Sequence, residues 1–362
     1  MIPDCTLVTA CFSLNHIYPH SRKIEEYLES IKTLLECPAY LVIFTDNYFY
    51  EHIKNIRTSF NLLELTHFIV RDVEELKFFK FNKIVKRNRE IYYPTRDQRT
   101  CSESHLICCS KFNFVLETIE MNPFNTKRLS WVDSNLGPNN CKIAQNYNHN
   151  MLLKVLNHDS EKFHIQLMNV CDKKFKEKIN KKEMYQQYRW VVCGCFFMTG
   201  IETGKKILRR LNENVVETTL LGFGHGEEMF YLEILDEFYD DIERSYGDYG
   251  TILNNFFGPT VNIHYINHLI VENYIKQGYY KEGYECCFKL VREIENYNTH
   301  VDYDLYLSIL YNYYKCSYHY KNKDDAYIIL QHIKDIVSKH PNIKSAYEKN
   351  KQYYENIVQV TL

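Results

Sequence analysis

Two periods of hydrophobic patterning divide this chain. Through the first two-thirds, short β-rich apolar runs alternate with segments whose apolar residues recur every three or four positions. Residues 6–13, T-L-V-T-A-C-F-S, and 39–46, A-Y-L-V-I-F-T-D, are the first two runs. Between them, in 21–36, Ile24, Leu28, Ile31 and Leu35 keep helical spacing, and Ser21 stands where a cap belongs. Strand, helix, strand at this spacing predicts a βαβ unit and a parallel sheet. Further strands are expected at 63–70, at R-L-S-W-V before Asp133, at 163–170 and at 190–198. Helices are expected at about 101–121, stopped by Pro123, and at 202–213 and 227–243. The polar, aromatic and basic segment 76–100 reads as a surface loop or loop-helix.

After about residue 270 the strand signals vanish and amphipathic helices take over. The stretch from Gly278 echoes the one from Tyr320 at a spacing of about 43 residues, in the range of paired-helix, tetratricopeptide-like repeats. The expected architecture is α/β, with a mostly parallel sheet flanked by helices in 1–268 and an α-helical region in 269–362.

Composition narrows the function classes. A formal net charge of -2 over 362 residues supplies no global field for nucleic acid or an anionic membrane. No apolar run is long enough to span a bilayer, and the first residues lack the basic and apolar regions of a signal peptide. The expected compartment is therefore cytoplasmic. The 13 cysteines, an odd number without C-x-x-C pairing, read as free thiols buried as small hydrophobes.

The chemistry starts at Asp133, a carboxylate ending a buried strand. In open α/β sheets, ligands bind at the carboxyl ends of strands. A metal ion or a sugar hydroxyl would be its natural partner, and a turn cap before Gly137-Pro138 is the alternative. G-H-G-E-E, 224–228, places Glu227 and Glu228 at an expected helix start, as base or acceptor contact, or only as an acidic first turn. V-N-I-H-Y, 261–265, puts His264 in a β-like apolar run, as a metal ligand or a core residue. C-G-C, 193–195, puts Gly194 where a strand end meets a ligand, or at a bulge.

Taken in order, T-L-V-T-A-C-F, L-V-I-F-T-D, S-K-F-N-F-V-L-E-T-I-E, N-P-F-N-T-K-R-L-S-W-V-D-S-N-L, G-C-F-F, G-H-G-E-E and Y-G-D-Y resemble the HtrL/YibB-type proteins over roughly residues 5–270. That family is similar to GT-A-fold glycosyltransferases. The resemblance implies a GT-A-like, Rossmann-like domain that moves a sugar from a nucleotide diphosphate to an acceptor hydroxyl on a glycan or protein. A UDP-linked donor is favoured, with Mn²⁺ or Mg²⁺. The D-x-D triplet of that fold is here Asp133-Ser134-Asn135, its second acid replaced by an amide. Asp133, Asn135 and His264 would hold the metal. Thr9, Ala10, Asp46, Lys111 and Gly194 would join Asp133 and Asn135 around the donor, with Lys111 reaching a phosphate. Glu227 or Glu228 would face the acceptor. The alternative is a catalytically weak GT-A-like scaffold that binds through its helical tail, which is also the expected surface for homo-oligomerisation. A nucleic-acid reading of the basic-aromatic segment 77–99 is disfavoured by the near-neutral charge.

Overall fold

The structure, a computed structural model, describes residues 2–19, 23–91, 100–134, 149–170, 181–186, 191–223, 226–247, 252–256, 263–297 and 302–361. Its strands are β1 (Cys5–Cys11), β2 (Tyr40–Thr45), β3 (Thr66–Val70), β4 (Arg128–Val132), β5 (Phe163–Leu167), β6 (Val192–Gly200) and β7 (Ile242–Tyr246). The helices interleaved with them are α1 (Ile24–Leu35), α2 (Asn47–Ser59), α3 (Asn82–Ile91), α4 (Ser102–Met121), α5 (His149–Leu156), α6 (Lys181–Gln186), α7 (Ile201–Leu220) and α8 (Ile252–Asn255). The remainder is helical: α9 (Ile263–Gln277), α10 (Tyr280–Tyr297), α11 (Tyr303–Tyr320), α12 (Lys323–Lys339), α13 (Pro341–Lys349) and α14 (Lys351–Thr361). The chain divides into two compact units, one of residues 1–168 with 173–259 and one of 169–172 with 260–362. In the second, Leu290, Leu307, Leu310, Leu330 and Ile333 form the buried core between helices.

The seven strands lie in the order β3-β2-β1-β4-β6-β5-β7. All run parallel except β6, which is antiparallel to both neighbours. The mixed, mostly parallel sheet flanked by helices and followed by a helical region is the architecture the sequence predicts. Chain order leaves β1 toward β2 on one side and returns to β4 on the other. The switch in direction therefore falls between the carboxyl ends of β1 and β4.

One face of the sheet packs Leu7, Leu41, Ile43 and Val132 against Ile31, Leu35, Ile53, Leu152 and Phe256. The other face receives α4. Its Leu106, Phe112, Phe114, Val115 and Ile119 are all buried, so α4 is enclosed on every side rather than along one stripe. Asn122 ends it in the left-handed region, with φ 36°, and its side chain bonds both N–H and C=O of Thr126 to turn the chain into β4. On the opposite layer, the fully buried Arg57 donates to the carbonyls of Leu35, Cys37 and Ala39 and to the Thr66 hydroxyl.

Two expectations need correction. The helix expected at 227–243 is instead a 3-10 segment over Glu227–Glu233, further turns, and β7. Met229, Phe230, Tyr231 and Leu232 are buried consecutively, so no single α-helical stripe could place them. The polar sequence I-E-R-S-Y hides β7 because it is an edge strand. His264 lies in helix α9, not in a β-like run, since the apolar pattern continues at helical spacing through Ile266, Leu269 and Ile270. Ser21, the expected cap, lies outside the described residues; α1 starts at Ile24 with the Lys23 N–H bonded to Glu26 Oε2.

Candidate functional site

Trp131 and Asp133 are two residues apart, so the strand period turns both toward α4. The indole rests against Phe114 of α4, with centroids 6.2 Å apart and planes 18° from parallel. From there its Nε1 donates to Asp133 Oδ1 at 2.6 Å. The backbone continues the β4–β6 ladder one step further, with Asp133 N–H donating to Cys195 O at 2.9 Å.

Lys111, in the middle of α4, is 1% exposed. Its ammonium donates to Glu227 Oε1 at 2.6 Å, to Gly194 O at 2.9 Å and to Asp133 Oδ1 at 3.1 Å. An ammonium has three N–H donors, so each is used within the protein. It also lies 5.5 Å from the Trp131 ring centroid, within cation–π range.

Gly194 is what allows this approach. A Cβ at that position would lie 3.1 Å from Glu228 Cγ and 3.2 Å from Glu227 Oε1. The β5–β6 register shifts here: Ile165 pairs with Phe197 while Gln166 pairs with Cys193. The resulting bulge aims the Gly194 carbonyl at Lys111. The bulge reading of Gly194 therefore applies.

The charges shape one another. Burial works against the Lys111 ammonium, but Asp133 and Glu227 outweigh it and hold the lysine well above its usual range. Burial also favours a neutral Glu227, yet Lys111 prevails and holds that carboxyl below its usual range. At Asp133 desolvation prevails over Lys111, Glu227 adds to it, and the carboxyl is raised. With Asp133 ionised, two carboxylates meet one ammonium, so the three together are negative. Both Trp131 and Lys111 reach Oδ1 of Asp133; among the described residues no hydrogen bond reaches its Oδ2.

That side chain is 31% exposed and lines a cleft with Ala10, Phe12, Lys111, Trp131 and Ser134. The open volume is about 110 Å³, well beyond the space one water requires. The cleft sits where β1 and β4 end.

Of the residues singled out from sequence, the structure gathers Ala10, Lys111, Asp133, Gly194, Glu227 and Glu228. Thr9 is buried and donates to Val132 O at 2.7 Å, which binds β1 to the end of β4. Asp46 lies elsewhere. It caps α2 by accepting from Phe49 N–H at 2.9 Å and from Ser13 N–H at 2.6 Å, and it lines a separate cavity with His16 and Asp72. Both its oxygens are engaged by backbone. His264 is a buried residue of α9, in the second unit. Asn135 lies outside the described residues. The sequence reading missed Trp131 as a partner of Asp133; the signal was the W-x-D spacing on a strand. It also treated Lys111 as a phosphate contact, whereas the structure spends all three of its donors on the site itself.

A family profile described as "bacterial protein of unknown function (HtrL_YibB)" matches residues 3–219. No curated protein sequence matches the chain. Among solved structures, mouse xyloside xylosyltransferase 1 in its apo form is similar at 13% identity and TM-score 0.38, over 66% of this chain and 84% of that one. The galactosyltransferase LgtC, in complex with donor and acceptor sugar analogues, is similar at 7% identity and TM-score 0.37, over 66% of this chain and 73% of that one. The matched span carries β1 through α7, and with them Lys111, Asp133 and Gly194. This chain belongs to the HtrL_YibB family.

Proposed function

We propose that the chain is a glycosyltransferase that takes a sugar from a nucleotide diphosphate donor, with a UDP-linked sugar favoured, and passes it to an acceptor hydroxyl. One observation carries the reading. At the switch between β1 and β4, Asp133 is fixed through Oδ1 by Trp131 and Lys111, and its side chain, 31% exposed, lines an open cleft. A carboxylate whose purpose was packing would have both oxygens satisfied, as Asp46 has.

A hard divalent cation suits the Asp133 carboxylate. The neighbouring charges sum to negative, and the cleft admits water to complete an octahedral shell. Asp133 would hold Mn²⁺ or Mg²⁺, with Asn135, the last position of the D-x-D-like triplet, as the further expected ligand. A bound cation would supply charge neutralisation at the diphosphate leaving group.

The chain's own residues divide the remaining work. Lys111 positions Asp133 and Glu227 rather than touching the donor. Trp131 fixes the rotamer of Asp133. Ala10, at the end of β1, offers a small side chain beside the nucleotide. Glu227 is buried and tied to Lys111, so Glu228, less buried and packed over Gly194, is the acid expected to face the acceptor.

The test is Asp133→Asn, which keeps an oxygen for Trp131 and the shape of the site. Calorimetric titration with UDP and Mn²⁺ should show binding to the parent protein and at least tenfold weaker binding to the variant, with an unchanged melting temperature. Slow donor hydrolysis without acceptor should accompany binding in the parent. Equal binding by the two proteins would remove Asp133 from the donor site. A parent protein that neither binds nor hydrolyses UDP-sugars would favour the scaffold reading.

A further inference from the structure

The sheet carries a second set of convergent side chains, at the opposite edge and on the opposite face from Asp133. His164 and Glu243 are register partners on the parallel pair β5 and β7, near the amino ends of both strands. Register partners project from the same face. His158 comes in from the turn that follows α5, where its N–H closes on Val155 O at 2.9 Å. One ligand atom from each of the three residues lies within 4.8 Å of the other two.

The separations are informative. Glu243 Oε2 is 3.4 Å from His158 Nε2 and 3.5 Å from His164 Nδ1. Both are longer than the 2.7–3.2 Å typical of an N–H···O bond, and only the His158 contact keeps hydrogen-bond geometry, as a long bond. They match instead the edge of a tetrahedron drawn around zinc: bonds of about 2.0–2.1 Å place neighbouring ligand atoms about 3.4 Å apart.

A second observation points the same way. His164 is only 6% exposed, and among the described residues neither of its ring nitrogens has a hydrogen-bond partner. Buried polar atoms are nearly always bonded, so an imidazole in this condition calls for a partner. The ring is held firmly, stacked on Phe256 at 3.7 Å and 17°. Phe256 also meets His158 edge-on at 5.0 Å. The ligands are therefore oriented by packing before any ion arrives, which lowers the entropic cost of binding.

We propose that His158, His164 and Glu243 form a zinc site. Two imidazoles and one carboxylate are the borderline donors that zinc prefers over magnesium or calcium. The fourth position is left to water. His158 and Glu243 have side chains 30% and 38% exposed, which gives the ion its entry path. The bound ion links the α5–β5 turn, β5 and β7, so it anchors the edge strand β7 to its neighbour. The site is independent of the glycosyl-transfer reading, since its residues are remote from Asp133.

The test uses the full chain, stripped with a chelator and titrated with zinc chloride. Calorimetry and thermal melting are followed for the parent protein, for Glu243→Gln and for His158→Gln. The parent should bind one zinc with a rise in melting temperature. Each variant should bind at least tenfold more weakly while its metal-free melting temperature stays near that of the parent. Cobalt in place of zinc should give the visible bands of a tetrahedral nitrogen–oxygen site without thiolate charge transfer. The proposal is overturned if zinc leaves the parent's melting unchanged, if both variants retain the parent's affinity, or if cobalt reports thiolate ligation. Should one variant fail to fold, the other decides.

Discussion

The two edges of the sheet solve the same problem in different ways. At the carboxyl edge, Asp133 and Glu227 meet an ammonium that the chain itself provides, at 2.6–3.1 Å. At the amino edge, Glu243 meets two imidazoles at 3.4 and 3.5 Å, and among the described residues neither ring nitrogen of His164 is hydrogen-bonded. The first cluster is complete as folded, apart from Asp133 Oδ2, which no hydrogen bond reaches among the described residues. The second is spaced for an ion that must come from outside. An internal cation makes a site whose geometry persists whatever the solution holds. An external one makes a site whose stability follows metal concentration.

The comparison breaks most sharply at Lys111. Lys111→Met should leave Glu227 buried beside a partner that can no longer compensate it, at a cost of about 3–5 kcal/mol. Urea unfolding would read this as a lower midpoint with an unchanged slope. A loss below about 1 kcal/mol would mean that the ammonium is not what holds the carboxyl edge together. Gly194→Ala is the next largest. The added Cβ must push against the Glu228 side chain and Glu227 Oε1, and overpacking of this kind costs about 1–3 kcal/mol. Trp131→Phe is the mildest and the most specific. It keeps a ring beside Phe114 but removes the indole donor, at about 1.5 kcal/mol for a hydrogen bond to a partly exposed charge. Its informative readout is UDP–Mn²⁺ affinity, which should fall as Asp133 gains rotamer freedom. None of the three should alter zinc affinity at the amino edge, because the clusters share no residue.

Much of this was legible in sequence wherever the physics is local. β1, α1, β2, α4, β4 and β6 follow from apolar runs and helical spacing, and Asp133 follows from a carboxylate abutting Trp131-Val132. What escaped depends on contacts between distant segments. Nothing local marks Lys111, inside S-K-F-N-F-V-L-E, as an ammonium that will meet Glu227 more than a hundred positions later. Met229 through Leu232 read as a helix because their enclosure on several sides is a tertiary fact. His158, His164 and Glu243 carry no motif, since their meeting depends on β7 pairing with β5 rather than on spacing. The bulge at Gly194, by contrast, was visible as C-G-C within a strand, though its coupling to Lys111 was not.

Arg57 bears on how the amino-terminal half assembles. Its single guanidinium gathers oxygens from the end of α1, the turn after it, the threshold of β2 and the first residue of β3. Those four stretches are strangers until α2 has swung the guanidinium into place, and each leaves an oxygen stranded in a dry interior if it departs alone. Opening any one of them therefore strands the rest. The first two crossovers of the sheet come apart as a block, and a lesion at this single position would loosen the floor beneath Leu41 and Ile43 far from any ligand.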